Sequence, residues 1–323
     1  MTMKVFITID VECGEFSPDY DGCVWGRLDN SSGHEYGLPL ILTLLKNTNL
    51  KAVFFLEVLS SSRHGISKLK RIADRIISEG HEVQLHLHPS LRHPIRKPNT
   101  EIHLGKYPIN TQIELIETGL DILGKCGVTE VTAFRAGGFG INKDTFRALK
   151  KCGVLYDSSY NLNYLNSSCL VSLTGPPRND AFPYEHIVEF PVTCFKNPLS
   201  RNMPYRHIQI TASSYWETKK ALLMAYQNKM KAVVIILHSF EFINFFDKKR
   251  TMGKPVNNNI LRFSKLLEDL SLNGDLFEVS GFNGLSSVYV DSIKKTENFP
   301  HYIPKMPWYL KVARQFEQLK AKL

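Results

Sequence analysis

The residues able to do chemistry come in short groups, each directly after an apolar run. They are Asp10-Val11-Glu12, His86-Leu87-His88, Arg135, Asp157 and His238. In Val83-Gln84-Leu85-His86-Leu87-His88-Pro89 the apolar and polar residues alternate, so Gln84, His86 and His88 share one face of a strand. Two imidazoles two residues apart lie roughly 7 Å apart at Cα, and their ring nitrogens can converge on one ion. Pro89 then stops the pairing ladder. A plainer reading is a half-exposed strand whose polar face happens to carry histidine. The other groups decide between the two. Two carboxyls, two imidazoles, an arginine and a further imidazole suit metal-assisted hydrolysis. A bound divalent ion polarises a carbonyl and acidifies its water, and it needs about three protein ligands. A separate carboxylate can take the water's proton, and a separate histidine can protonate the leaving group. Arginine can orient the base by a charge-assisted bond.

For these residues to meet, the elements that carry them must end at one place. Apolar strands are expected at 4–9, 52–56, 83–88, 131–134, 154–156, 187–192, 232–237 and 276–279. Amphipathic helices are expected at 38–46, 66–78, 112–124, 143–152, 215–229 and 259–272. Gly80 closes the second of these helices and Asn142 opens the fourth. Strand then helix, repeated roughly seven times, implies a parallel β/α architecture, with strands apolar throughout because both faces are covered. In such folds active sites lie beyond the carboxyl ends of strands. Residues 13–34 have no periodicity and read as a long loop, whose Tyr20, Trp25 and Arg27 could meet a ligand or cap the domain. Residues 89–109 read as a basic surface loop.

The domain organisation expected is a barrel over 1–285 and an extension over 286–323. The extension carries an amphipathic helix from Trp308 onward. Docking on the barrel is the default for this helix, and contact with an anionic membrane is the alternative. The chain has 323 residues, 43% hydrophobic, enough for a large core and too apolar for disorder. A net charge of +9 favours acidic partners such as phosphate-bearing substrates. No basic block or nucleic-acid motif is present, which sets nucleic acid aside. No run approaches the length of a membrane span. The 6 cysteines form no Cys-x-x-Cys pair, and with no export signal at the amino terminus they are expected to be reduced thiols of a cytoplasmic protein.

Taken in order, these groups resemble the motifs of the polysaccharide deacetylase family (carbohydrate esterase family 4, the NodB-homology domain) over residues 4–285. Thr8-Ile9-Asp10-Val11-Glu12 resembles its first motif, though most relatives have two adjacent aspartates. The resemblance implies Asp10 as general base and Glu12 as metal ligand, and the changed spacing leaves open which acid does which. Gly80-His81-Glu82-Val83 leading to His86 resembles the approach to the second motif, which supplies two metal-binding histidines. His86 is one, and His88 the other, with His93 in reserve because the usual spacing is longer. Phe134-Arg135-Ala136-Gly137-Gly138 resembles the third motif without its usual proline, and implies that Arg135 orients the base. Tyr156-Asp157-Ser158-Ser159-Tyr160 resembles a stretch found after the next strand in relatives, which implies Asp157 and Tyr160 in the substrate groove or a structural turn. Leu237-His238-Ser239 resembles the last motif, with His238 as general acid and Leu237 lining an acetyl pocket. Trp25 joins these as a candidate substrate contact.

The family implies a distorted (β/α)7 barrel, one divalent ion (Zn first, with Co, Ni or Mn as alternatives) and removal of an N-acetyl or O-acetyl group from a sugar. The missing export signal and the positive charge point to a cytoplasmic nucleotide- or lipid-linked sugar. Rival readings are a cyclic amide or ureide hydrolase on the same fold, and a relative that binds metal or glycan without turnover. The oligomeric state is not legible.

Overall fold

β1 (Met3–Val11) is buried along its length, with only Lys4 partly exposed. The computed structural model describes residues 2–13, 20–26, 34–93, 100–198, 200, 203–247, 250, 252–295 and 302–320. From β1 the chain runs through α1 (Tyr20–Trp25), α2 (Leu38–Asn47), β2 (Val53–Glu57), α3 (Ser61–His64), α4 (Ile66–Ser78) and β3 (Glu82–Leu87). Then come α5 (Ile109–Lys125), β4 (Ala133–Ala136), α6 (Lys143–Lys151), β5 (Tyr156–Asp157), β6 (Phe182–Tyr184) and β7 (Ile187–Glu189). The hairpin β8 (Cys194–Lys196) and β9 (Tyr205–His207) precedes α7 (Tyr215–Gln227) and β10 (Ala232–His238). A second hairpin, β11 (Ile243–Phe245) and β12 (Gly253–Pro255), leads to α8 (Asn257–Leu272), β13 (Phe277–Val279), α9 (Ser287–Lys294) and α10 (Trp308–Lys320).

The main sheet runs β10-β1-β2-β3-β4-β5-β7-β6, with β13 beside the start of β1. Every pairing in it is parallel except β6 with β7. The free edge of β10 is met by irregular chain. Thr193 N donates to Val234 O at 3.1 Å, and Ile236 N donates to Ile208 O at 3.1 Å. These bonds close the curled sheet into the distorted β/α barrel expected from the alternation of strands and helices.

Strand alternation divides the core in two. Val5, Ile7 and Ile9 of β1, with Leu85 and Leu87 of β3 and Val233, Ile235 and Leu237 of β10, face the surrounding helices. Phe6, Phe55, Tyr156, Val188, Phe190 and Val234 face inward, joined by Phe282. Phe6 stacks on Phe282 at 4.8 Å and meets Phe190 edge-on at 5.1 Å. These rings form a dry floor beneath the strand ends, each contributing about 2 kcal/mol or more by burial.

The helices begin and end for local reasons. Asn142 accepts from Thr145 N while Thr145 accepts from Asn142 N, a capping box at the start of α6. Gly80, at φ +76°, takes the left-handed conformation that ends α4 and turns the chain into β3.

Several features depart from the sequence reading. α1 lies inside the expected loop 13–34, and β6, β8, β9, β11 and β12 are not among the expected strands. Cys13 and Cys23 form a disulfide, so a cytoplasmic location no longer follows from six reduced thiols. The barrel's packing also runs past residue 285. Val290 and Ile293 of α9 join Phe6, Phe55 and Phe282 in the inner cluster, so α9 plugs the amino-terminal end of the barrel rather than belonging to an extension. Arg27 and residues 94–99 of the basic loop, including Arg96 and Lys97, lie outside the described residues.

Asp157 and Glu189 face each other in register at the ends of β5 and β7, both fully buried. Glu189 Oε1 accepts from Tyr160 N at 3.0 Å, and Asp157 Oδ1 accepts from Ser159 Oγ at 2.6 Å. Neither Asp157 Oδ2 nor Glu189 Oε2 finds another donor among the described residues, so one proton shared between the carboxyls satisfies both. Burial and the adjacent Asp157 carboxylate push Glu189 well above the ordinary carboxyl range. The folded chain therefore binds a proton that the unfolded chain releases, and stability falls as pH rises past the ordinary value of 4.5. Glu189→Gln keeps the acceptor and gives Asp157 an N–H. Its Tm should exceed the wild type's at about pH 8 and converge with it towards about pH 4. A variant less stable than wild type at every pH would exclude a shared proton.

Candidate metal and catalytic site

β1, β3 and β10 bring the strand-end residues together because each carries them on the inward parity. Thr8 and Asp10 lie two apart on β1, with Glu12 two further on, as Gln84, His86 and His88 do on β3. His86 Nδ1–H donates to Arg135 O at 2.8 Å, which fixes the tautomer and leaves Nε2 free as a ligand. Nε2 of His86 lies 3.1 Å from Glu12 Oε2, and Nε2 of His88 lies 2.6 Å from the same oxygen. One ligand atom from each of Glu12, His86 and His88 lies within 4.8 Å of the others. Two imidazoles and a carboxylate suit a borderline divalent cation such as zinc, and they leave further positions for water or substrate. Burial opposes ionisation of Glu12, but His88 and His86 outweigh it and hold the carboxyl well below its ordinary range. His93 stands outside this cluster and its Nε2 accepts from Arg92 Nε at 3.2 Å, so His88 is the second imidazole.

The His88 ring fits only because residue 137 has no side chain. A Cβ on Gly137 would sit 2.5 Å from His88 Cε1 and Nδ1. The turn at Gly137-Gly138 stands where the resemblance would place a proline, and it leaves room for the imidazole.

Asp10 is 3% exposed and Arg135 is fully buried. Arg135 Nη1 donates to Asp10 Oδ1 at 2.7 Å and to Thr8 Oγ1 at 2.8 Å. Its Nε donates to Ser158 O and its Nη2 to Ser158 Oγ, both at 2.9 Å. The guanidinium lies 4.2 Å from the centre of the Phe55 ring. Asp10 Oδ2 is thereby turned to the cavity, 4.0 Å from His238 Nε2.

His238 is held from behind. Its Nδ1–H donates to Glu241 Oε1 at 2.7 Å, and its ring stacks on Phe240 at 5.1 Å. Gln209 Nε2 also donates to Glu241 Oε1, and His207 Nε2–H donates to Gln209 Oε1 at 2.6 Å. Burial alone would lower the His238 pKa. The Glu241 hydrogen bond and the charges of Glu241, Glu12 and Asp10 outweigh it and raise the imidazole to about 9. His238 is therefore cationic at neutral pH, with Nε2–H aimed at the cavity. Burial in turn lowers His207 to about 4, so it stays neutral.

A cavity of about 270 Å³ opens over these groups. Asp10, Glu12, His86, His88 and His238 form its floor. Phe139, Tyr164, His207, Gln209 and Ile236 form its walls. Phe139 holds a left-handed backbone at φ +56°, which costs about 1–3 kcal/mol for a non-glycine residue and aims its ring at Tyr164, 4.9 Å away. An aromatic wall beside a polar floor suits a sugar ring with a polar substituent.

None of the expected substrate contacts lines this cavity among the described residues. Leu237 points to the helices because it alternates with His238, and Ile236 takes the wall instead. Asp157 lies opposite in parity to Tyr156 and pairs with Glu189. Tyr160 is buried against Phe182, and the Trp25 ring lies under Arg71 at the rim of the helical layer. Glu57, which ends β2 in register with His86, was missed although it has the same strand-end signal. It accepts from Leu59 N and Ser60 N and shapes the turn beside the site. Glu241 follows His238 closely enough to have been noticed. His207 and Gln209 gave no signal, because an irregular hairpin brings them to β10.

Residues 23–156 match the family model for polysaccharide deacetylases, a span that includes His86, His88 and Arg135. That span is less than half of the chain, and over it the chain resembles the polysaccharide deacetylase family. A structure from Mycobacterium smegmatis assigned as a polysaccharide deacetylase superposes with a TM-score of 0.54 at 18% identity, over 95% of each chain. The peptidoglycan deacetylase PdaC of Bacillus subtilis is 12% identical with a TM-score of 0.41, covering 99% of this chain and 97% of that one. The family 4 carbohydrate esterase of Streptomyces lividans, solved with acetate, is 10% identical with a TM-score of 0.42, over 94% of this chain and 98% of that one. At 18% identity the likeness to the Mycobacterium smegmatis structure is one of fold. No curated protein matches the chain in sequence. Asp10, Glu12 and His238 lie outside the matched span, and the fold brings them to it.

Two outcomes follow from this geometry. Gly137→Ala should fold, because the added methyl meets only a side-chain ring, yet lose bound divalent metal by elemental analysis. Metal content equal to wild type would remove His88 from the ligand set. Glu241→Gln should move the alkaline limb of kcat/KM from near pH 9 towards the ordinary imidazole value of 6.5, since a general acid must stay protonated to act. An unshifted limb would show that His238 is not the titrating acid.

Proposed function

We propose that this chain is a metal-dependent hydrolase that removes an N-acetyl (or O-acetyl) group from a sugar. The observation that carries this reading is the convergence of Glu12, His86 and His88 with an arginine-held Asp10 and a glutamate-held His238 around one cavity. Glu12, His86 and His88 would hold the ion. When bound, a divalent ion there would polarise the acyl carbonyl and make water more acidic.

The chain's own groups account for the remaining work. Arg135 occupies Asp10 Oδ1, so Oδ2 is the oxygen left to take a proton from water. The water oxygen then bonds to the acyl carbon. His238 Nε2–H donates to the departing sugar nitrogen as the C–N bond breaks, and acetate and the free amine leave. Glu241 keeps the histidine charged for that step and orients it through Nδ1. Phe139 and Tyr164 offer a face for the sugar ring, and Ile236 an apolar contact for the acetyl methyl.

The net charge of +9 supports a substrate carrying phosphate, and we propose a nucleotide- or lipid-linked sugar. Chelation should abolish acetate release from N-acetyl sugars, and Zn, Co, Ni or Mn should restore it. Asp10→Asn should retain metal by elemental analysis while losing about 10²–10⁴ in kcat. Full activity in Asp10→Asn would refute the base assignment. Ring opening of a cyclic amide without acetate release would favour the rival hydrolase.

A further inference from the structure

α10 is docked the reverse way for a helix held by apolar burial. Apart from Leu310, which packs on the core, its inner face is polar. Arg314 is buried with Nε 2.9 Å from Glu217 Oε2, Glu317 Oε1 accepts from Arg262 Nε at 2.8 Å, and Lys311 Nζ donates to Pro198 O at 2.7 Å. Its outer face is apolar. Trp308, Val312, Phe316 and Leu319 recur at helical spacing along one stripe, with Tyr309 beside them. Trp308 and Phe316 are each 61% exposed, Leu319 58% and Tyr309 55%. α7, against which α10 packs, adds Trp216 at 59% exposure. Large aromatic and aliphatic side chains left in water on one stripe mark a binding surface.

Charge selects the occupant. From 302 to the last residue the sequence carries five basic residues against the single acid Glu317, and with Arg314 and Lys311 committed to the inner face, Lys305, Lys320 and Lys322 remain. Lys305 and Lys196, both exposed, face each other across a parallel bridge at the foot of the helix. A second copy of this chain would bring like charge to like charge. An anionic lipid surface offers the opposite charge, and a Trp/Tyr end with a Phe/Leu stripe and flanking lysines is the composition that settles at the boundary of headgroups and acyl chains.

We infer that the outer face of α10 docks the protein on an anionic lipid surface. Arg262, paired with Glu317 of α10, also donates from Nη1 to Ile210 O at 2.7 Å, one residue beyond the cavity-lining Gln209. On the deacetylase reading above, a single side chain thus ties the docked helix to the segment that lines the cavity.

Sedimentation of the full chain with vesicles tests this without reading catalysis, so it stands or falls apart from the proposed function. The protein should pellet with equal mixtures of phosphatidylcholine and phosphatidylglycerol, less as salt is raised, and not with phosphatidylcholine alone. The triple variant Trp308→Ala, Phe316→Ala, Leu319→Ala alters exposed side chains only and should keep the wild-type circular dichroism while binding about tenfold or more weakly. No binding to anionic vesicles at low salt overturns the inference, as does equal binding by the triple variant. A wild-type dimer in analytical ultracentrifugation that the triple variant loses, with no vesicle binding, assigns the face to a second copy instead.

Discussion

The fully buried guanidinium of Arg135 is the constraint on which the site depends. An uncompensated charge at that depth would cost several kcal/mol, and removing one partner of a buried pair typically costs about 3–5 kcal/mol. The chain meets the cost with acceptors and an aromatic face from three elements: Asp10 and Thr8 on β1, Ser158 beyond β5, and the ring of Phe55 on β2. Thr8 is in turn fixed by donating to Ile235 O on β10 at 2.7 Å. One side chain thus sets the relative heights of strands across the barrel. The aromatic floor below it excludes water, which strengthens the Asp10 contact and denies the carboxylate any other orientation.

Strand parity explains why some strand-end residues reach the cavity and others do not. A slip of one residue would exchange every inward side chain for an outward one. Asp10, Glu12, His86, His88, Arg135 and His238 hold the inward parity, and all were legible as a group because each ends an apolar run. The same rule, applied to Leu237 and Asp157, would have excluded both from the cavity. Leu237 neighbours His238 and must face the helices, and Asp157 neighbours the inward Tyr156. Ile236, two residues before His238, was the legible choice for the wall.

What parity could not supply lies outside the regular strands. His207 and Gln209 reach the site through irregular chain hydrogen-bonded to the edge of β10, and no periodicity marks such a segment. Phe139 depends on a left-handed backbone that its side chain disfavours, so its local sequence argues against the conformation it adopts. α10 was legible as an amphipathic helix from its spacing. Its orientation was not, because Glu217 and Arg262, which draw its polar face inward, come from helices distant in sequence.

The electrostatics of the cavity favour a cation even before its identity is considered. Among the described residues four carboxyls surround the site: Asp10, Glu12, Glu57 and Glu241. Arg135 is committed to Asp10, and the His238 proton is committed through Nδ1 to Glu241. Burial raises the pKa of Glu57. At Glu12 the imidazoles of His88 and His86 act the other way and hold the carboxyl well below its ordinary range against burial. The structure therefore concentrates the remaining negative charge on the one carboxylate that touches both free imidazole nitrogens. A proton on His88 answers that charge, as its rise to about 9 records. It does so by occupying the lone pair that would otherwise face the cavity. A divalent ion answers the same charge while using all three ligand atoms, and the donor set is built for that exchange.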